Sequence, residues 1–310
     1  MTSKRILTLG TRGSALALAQ ADMVQAALAA IHPGLEIRRE IIQTTGDRRT
    51  DVPLADVAKV SGVADKGIFI KELEIALLEG RIDVAVHSLK DVPSELSPEF
   101  ELVAVLPRAS VEDVLITREP GWDGRGVLAT GSVRRRLMAR SYWGGHLHVE
   151  DLRGNVPTRL AKLAEHADWN AVILARAGLE RLGLYAPETV VQGRKLYMTP
   201  LPVDAFVPAV GQGIVGMECR SGDYDVKRLL SGINDAVAFA CAVAERSFLI
   251  RLGASCSTPV GVYACPEGEG LVLRAMYYAP GREEPLAVVV RGSMAAPAAL
   301  GHEAFSRLGG

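Results

Sequence analysis

No two of the four cysteines, Cys219, Cys241, Cys256 and Cys265, stand at CxxC spacing, and none has a histidine at zinc-ligand separation along the chain. Neither a disulfide framework nor a structural metal is indicated, and reduced thiols in a cytoplasmic setting fit this usage. Long uncharged apolar runs are missing too, so no segment predicts a membrane span. The opening MTSKRILTLGTRGSALALAQ is basic and then apolar, but Arg12 interrupts it before a signal-peptide core develops, and no export is expected. Aromatic residues are only 5 % of the 310 and do not interleave with the basic stretches, which disfavours a stacking platform for nucleic acid. Neither sign of charge is in excess: 35 Lys and Arg against 36 Asp and Glu leave a net charge of −1, so anion recognition must come from local clusters. The sequence lacks both GxxxxGK[ST] and GxGxxG after a first strand, and GQG at 211–213 is too short to count. A phosphoryl-transfer enzyme would need such a motif or a metal.

What is present is a chain that is 48 % hydrophobic and 23 % charged, long enough for two or three domains with cores of their own. RILTLG, SALALAQADMVQAALAAI, LEIRREIIQT, GIFIKELEIALLEG, IDVAVHSL and FELVAVLP alternate strand and helix patterns and predict a βαβ lobe with a mainly parallel sheet. GVLATGS, VRRRLMARSYW, HLHVEDL, NVPTRLAKLAEH and AVILARAGLERLG predict a second such lobe. TLGTRGSALA and VLATGSVRRR each run from a strand through a Gly/Ser turn into a helix start, a favourable place for an anion. From about residue 236 a long helix, DAVAFACAVAERSFLIRLG, precedes VGVYACP, LVLRAMYYAP, LAVVVRG and a short final helix, which reads as an α+β domain.

Arginine is concentrated at the loops and helix starts: Arg12, the run Arg134, Arg135 and Arg136, then Arg153, Arg159 and Arg181. Its planar fork matches carboxylate or phosphate, so a guest with several anionic groups is indicated, although any one of these side chains is as easily a surface ion pair. DVAVHSLKDVP places Ser88, Lys90 and Asp91 just past a strand, at the end where α/β sheets bind ligands; a turn salt bridge explains Lys90 and Asp91 equally. His87 reads as a packing residue, and His146 and His148 lack a third metal ligand nearby. Cys256, in GASCSTPVG on the loop after the long helix, has three readings: a small apolar filler, a nucleophile without a neighbouring base, or a covalent attachment point.

Taken in order, TRGSALALAQ, TTGD, KGIFIKELEIALLEGRIDVAVHSLKDVP, ATGSVRRR, LRGNVPTRLAKL, AVILARAGLERLGL, VPAVGQGIVGMECR, AERSFL and GASCSTPVG resemble the hydroxymethylbilane synthase (porphobilinogen deaminase) family over nearly the whole chain. The resemblance implies a cytoplasmic, monomeric transferase of porphyrin, haem and other tetrapyrrole biosynthesis that acts on the small molecule porphobilinogen, without nucleic acid, membrane or metal. Four porphobilinogens condense head to tail with loss of ammonia, and water releases the linear product. It implies a dipyrromethane cofactor held by a thioether, at Cys256, and a catalytic aspartate, Asp91. Cofactor contacts would come from Arg134, Arg135, Lys90, Ser88, Thr130, Ser132, Arg153 and Gly154. Substrate contacts would come from Arg12, Arg153, Arg159, Arg181, Gln20, Phe69, Lys59 and Lys66. With an acetate and a propionate on each ring, about a dozen carboxylates would share one cleft, which the arginines would balance.

The implied fold is α/β: two lobes with mixed sheets, like periplasmic binding proteins, and a smaller α+β C-terminal domain with the cofactor loop. The expected domains are 1–107 plus 213–233, 108–212, and 234–310. The chain departs from the family at ATGSVRR, where GTSSLRR is common, at Ala254 and Ser255, where paired glycines are common, and in a longer stretch between Lys59 and Lys66. The competing expectation is a two-lobed solute-binding or sensing protein, which would explain the arginines but not Asp91 together with Cys256.

Overall fold

The computed structural model describes residues 6–44, 70–254, 258–282 and 284–308. These form two α/β lobes with mixed sheets and a smaller α+β C-terminal unit. In the first lobe, β1 (Ile6–Thr11) leads into α1 (Ala15–Ile31) and β2 (Glu36–Ile41). Then come α2 (Lys71–Leu78), β3 (Val84–Ser88), a 3₁₀ turn (Leu89–Asp91) and β4 (Phe100–Val105). Ser14 starts α1 by accepting the Ala17 N–H, and Ala17, Ala21, Val24 and Leu28 turn one face of that helix onto the sheet.

The chain crosses to the second lobe at 106–112. There it forms β5 (Asp113–Thr117), β6 (Gly126–Ala129), α3 (Val133–Trp143), β7 (Leu147–Glu150) and α4 (Val156–Glu165). β8 (Trp169–Ala175), α5 (Arg176–Arg181), β9 (Glu188–Val191) and β10 (Arg194–Pro200) complete this lobe. β11 (Val215–Arg220) then returns to the first sheet, followed by α6 (Tyr224–Ser231). The C-terminal unit is α7 (Ala236–Leu252), β12 (Val260–Glu267), β13 (Gly270–Tyr277), β14 (Leu286–Ser293) and α8 (Pro297–Leu308).

The sheet orders are β2-β1-β3-β11-β4, β7-β6-β8-β5-β10-β9 and β12-β13-β14. In the first sheet β1, β2, β3 and β4 share one direction, as the mainly parallel expectation has it, and β11 opposes them; in the second β7, β6, β8 and β10 share one direction and β5 and β9 take the other. β1 runs parallel to β2 and β3, whereas β11 is antiparallel to β3 and β4 because it enters from the opposite lobe. In the second sheet β5 likewise enters from the other lobe and is antiparallel to β8 and β10, whereas β9 and β10 form an antiparallel hairpin that turns at Gln192 and Gly193. β5, β9 and β10 had no counterpart in the sequence pattern. β5 is apolar only at Val114, Leu115 and Ile116 and buried throughout, and such a short run carries no period.

The cores are built on the inward faces of these sheets, with Leu7, Leu9, Val84 and Met217 in the first, Val114, Ile116, Val172 and Leu174 in the second, and Phe248, Val262, Leu273 and Val290 in the third. No helix among the described residues is long and apolar enough to cross a membrane. The end of β3 in the first lobe comes within electrostatic reach of Arg135 and Arg159 in the second, so the two lobes face each other there.

Candidate functional site

The first-lobe wall of the cleft comes from the ends of β1 and β3. Asp91 closes the 3₁₀ turn after β3, whose Leu89 N–H is fixed to the Ile214 carbonyl at 3.0 Å. The Arg12 guanidinium, from the loop between β1 and α1, lies 3.9 Å from the Asp91 carboxylate, with both side chains partly open to solvent. Gln20, buried on α1, donates to the Ser88 hydroxyl at 2.7 Å, and that hydroxyl lies 3.1 Å from the Gln20 carbonyl oxygen. Arg12, Ser14, Gln20, Ser88 and Asp91 line a hollow of about 60 Å³, enough for a carboxylate-sized group. His87 points to the other side, where its ring Nε2 meets the buried Glu218 carboxylate at 2.8 Å.

The second-lobe wall is the turn from β6 into α3. Thr130 is buried, donates its N–H to the Glu150 carbonyl at 2.8 Å, and accepts the Ser132 N–H on its hydroxyl at 3.2 Å. Ser132 caps α3, accepting the Arg135 N–H at 3.4 Å. Gly131 explains one departure from the family pattern: a Cβ there would lie 2.8 Å from the Leu152 carbonyl oxygen, so no serine fits without a shift. Gly154, at φ +120°, shapes the turn before α4; its carbonyl accepts from Arg159 Nε at 2.7 Å and so aims that guanidinium.

Arg134 and Arg135 turn inward. Each donates to the wholly buried Asp113 carboxylate at 2.7 Å, Arg134 also to the Val207 carbonyl at 2.7 Å and Arg135 to the Ile173 carbonyl at 2.9 Å. Arg136, the third of the run, pairs with Asp151 on the surface. Arg181 donates to the Gly213 carbonyl at 2.7 Å on the crossover segment. Asp113 and its third donor, Gln212 at 2.9 Å, carry no sequence signal beyond an acid at the head of an apolar run and the GQG stretch.

The cations here sit under electrostatic strain. Lys90 reaches the water of the cleft but is enclosed by both lobes, and that enclosure pushes its ammonium down to about 8 against the pull of Asp91, with Arg135 and Arg159 adding to the fall. Burial, and then Arg135 and Arg153, push Arg159 down to about 10. Burial also lowers Arg153, against Asp151, and Arg181, against Glu180. Among the described residues, Lys90, Arg153, Arg159 and Arg181 have no carboxylate within ion-pair distance. The buried Nε donors of Arg135 and Arg181 have no acceptor. Such a cluster costs free energy when empty and gains it back from a guest bearing several carboxylates.

Two thiols are excluded from chemistry by burial, which pushes Cys219 up to about 11 and Cys241 up to about 12. Cys256, Lys59, Lys66 and Phe69 lie outside the described residues. The flanks of the Cys256 loop are placed: Ala254 is buried at the end of α7, and Thr258 and Pro259 face Leu137, Arg140 and Ser141 of α3 across a cleft of about 820 Å³. The loop therefore leaves from beside the helix whose first turn carries Arg134 and Arg135.

Comparison with known proteins gives a consistent result. The family described as "Porphobilinogen deaminase, dipyromethane cofactor binding domain" matches residues 7–228, and "Porphobilinogen deaminase, C-terminal domain" matches residues 239–309. The porphobilinogen deaminase of Roseiflexus castenholzii is 44 % identical over 87 % of this chain and 85 % of its own length. That of Bordetella parapertussis is 40 % identical over 98 % of this chain and 93 % of its own. Similar solved structures include the periplasmic aliphatic sulphonate binding protein SsuA from Escherichia coli, at 12 % identity and TM-score 0.42 over 81 % of this chain and 71 % of that one. Another is the BenM effector binding domain with its effector benzoate, at 14 % identity and TM-score 0.42 over 75 % of this chain and 91 % of that one. With both parts of the chain matched and relatives this similar along its length, the chain belongs to the porphobilinogen deaminase family, transferases built around a dipyrromethane-binding domain.

Proposed function

We propose that the chain joins four porphobilinogen molecules head to tail and releases the linear tetrapyrrole hydroxymethylbilane, with Asp91 as its catalytic residue and Cys256 as the tether of the dipyrromethane. The observation that carries this reading is one carboxylate, Asp91, set beside Arg12 at the edge of a cation cluster in which Lys90, Arg153, Arg159 and Arg181 have no carboxylate at ion-pair distance among the described residues. The residues fit a multiply carboxylated cofactor, since the orphaned Nε of Arg135 and the depressed ammonium of Lys90 both call for an anion.

Arg134, Arg135, Arg153, Lys90, Ser88, Thr130, Ser132 and the backbone at Gly154 would hold the acetate and propionate groups of that cofactor. When bound, it supplies the free pyrrole α-carbon to which substrate is joined. Arg12, Arg159, Arg181 and Gln20 would take the carboxylates of porphobilinogen, as would Lys59 and Lys66, with Phe69 packing nearby. These contacts orient the aminomethyl group and exclude water from around it. When the carbon–nitrogen bond of porphobilinogen breaks, the amine leaves as ammonia with a proton, and positive charge spreads over the methylene and pyrrole ring. A carboxylate fixed near the pyrrole N–H stabilises that charge and then accepts the proton displaced from carbon when the new carbon–carbon bond forms. Asp91, beside Arg12, would be that acid.

We assign residues 1–107 plus 213–233, 108–212 and 234–310 as the three domains, a division supported by the three sheets. A monomer working in the cytoplasm, without nucleic acid, fits the net charge of −1 and the local rather than general clustering of cations. The test is steady-state turnover of porphobilinogen by wild type and Asp91→Asn. A folded Asp91→Asn protein whose turnover falls by about 100-fold or more supports the assignment, and near-wild-type turnover removes Asp91 from the chemistry.

A further inference from the structure

Both guanidinium groups of the Arg134–Arg135 pair end on the same carboxylate, that of Asp113, which is the first residue of β5 and wholly buried. Its Oδ2 accepts from Arg134 Nη2 and its Oδ1 from Arg135 Nη2, each at 2.7 Å, and Oδ1 accepts a third bond from Gln212 Nε2 at 2.9 Å. Gln212 is held in turn by donating to the Val111 carbonyl at 2.7 Å. Asp113 has no freedom to drift, because its residue is paired with Ala175 in the β5–β8 ladder and its carbonyl accepts the Leu201 N–H at 2.8 Å. The hub therefore joins both segments that cross between the lobes, 106–112 and 207–214, to the first turn of α3.

The charge count separates two explanations of this hub. A purely architectural ion pair gains most when it is neutral and fully hydrogen-bonded, and apolar residues of similar volume do as well or better. Here two buried guanidinium ions share one carboxylate, which leaves a surplus positive charge, and Arg135 Nε is a buried donor with no acceptor among the described residues. Of the pair, Arg135 is close enough to act on both Lys90 and Arg159, which burial lowers first and which stand on opposite walls. An arrangement that is one anion short, with a donor left over, is preorganised for an anionic guest.

We infer that Asp113, with Gln212 behind it, is a positioning residue for cofactor capture, fixing the paired arginines of α3 in the geometry that receives the carboxylates of the dipyrromethane. The inference rests on the proposal that those arginines bind the cofactor. Asp113 itself never touches the guest; it acts through Arg134 and Arg135. The two guanidinium groups hold its carboxyl well below the usual carboxylate range despite complete burial, so it stays an acceptor throughout the working pH range.

The test follows cofactor uptake, independently of turnover by the loaded enzyme. Full-length protein free of cofactor is prepared in a host unable to make porphobilinogen, as wild type, Asp113→Asn, Arg135→Met and the double variant. Each is incubated with porphobilinogen while the gain of a two-ring mass is followed, and thermal unfolding checks that each is folded. Asp113→Asn and Arg135→Met are expected to take up the mass about 10- to 100-fold more slowly than wild type. The double variant is expected to be no slower than the slower single one, because the two substitutions remove one interaction. Wild-type uptake by Asp113→Asn, or independent multiplication of the two effects, overturns the inference while leaving the cofactor reading intact. Failure of the wild type to gain mass overturns the cofactor reading itself. If Asp113→Asn does not fold, Asp113→Glu, which keeps the charge but displaces it by one methylene, enters the same comparison, with slowed uptake expected and unchanged uptake contradicting the inference.

Discussion

At the residue scale, the assignment of Lys90 has a consequence in pH. Its ammonium is pushed down to about 8, first by burial and then by Arg135 and Arg159, so it loses its charge within an accessible range. Between that value and the ordinary lysine range near 10.4, the unfolded chain holds the proton more firmly than the folded one; emptying the cleft of this charge stabilises the fold as pH rises through the window. Anion capture goes the other way, since a neutral amine no longer attracts a carboxylate. Uptake of cofactor by the empty protein is expected to slow as pH rises through about 8, and Lys90→Met is expected to flatten that profile, as followed by mass at a series of pH values. An unchanged inflection in Lys90→Met would assign it to another group.

The clustering of cations was legible at this scale, because arginine at successive strand ends has a physical meaning that lysine scattered over a surface does not. The unreadable part was the partner of those arginines. Asp113 lies some twenty positions before them, and only the closing of β5 on β8 brings its carboxylate to their side chains. His87 and Glu218, more than a hundred positions apart, meet through the same kind of strand pairing.

At the scale of elements, helices with polar caps were the easiest to read. α7 begins at Asp235, whose carboxylate accepts the Ala238 N–H at 2.8 Å and whose own N–H is fixed to the Val105 carbonyl at 2.9 Å. Asp235→Ala is expected to lower stability by about 1 kcal/mol, the usual loss of an N-cap, measured as a shift in thermal or denaturant midpoint; no shift would mean that packing alone holds the helix start. Strands were uneven. β1, β3 and β8 follow from apolar runs bounded by turn residues, but β9 is mostly exposed and β10 buries only Leu196 and Met198 among charged and polar neighbours such as Lys195, an alternation too short to mark it. The antiparallel halves of both sheets depend on where distant strands insert, which local periodicity does not encode.

At the scale of the whole molecule, the C-terminal unit is locked to the crossing segments by Glu245 of α7. One carboxylate oxygen accepts from Arg108 at 2.5 Å and from the Ala264 N–H at 2.8 Å, and the other accepts the Gly211 N–H at 2.7 Å. Arg108 also donates to the Gln212 carbonyl at 2.9 Å, so this buried pair adjoins the residue that backs Asp113. The loop that carries Cys256 thus departs from a helix tied to both crossing segments. The flanking residues Thr258 and Pro259 face α3. The proposed thioether at Cys256 belongs to the segment that joins α7 to β12.

The central claim is that tether, and the intact mass of the purified protein under denaturing conditions tests it most directly. The account predicts that the wild-type mass exceeds that of its sequence by two linked pyrrole rings, and that Cys256→Ser has the mass of its sequence alone. A wild-type mass that equals the sequence mass even after incubation with porphobilinogen, or an addition that persists in Cys256→Ser, would contradict it.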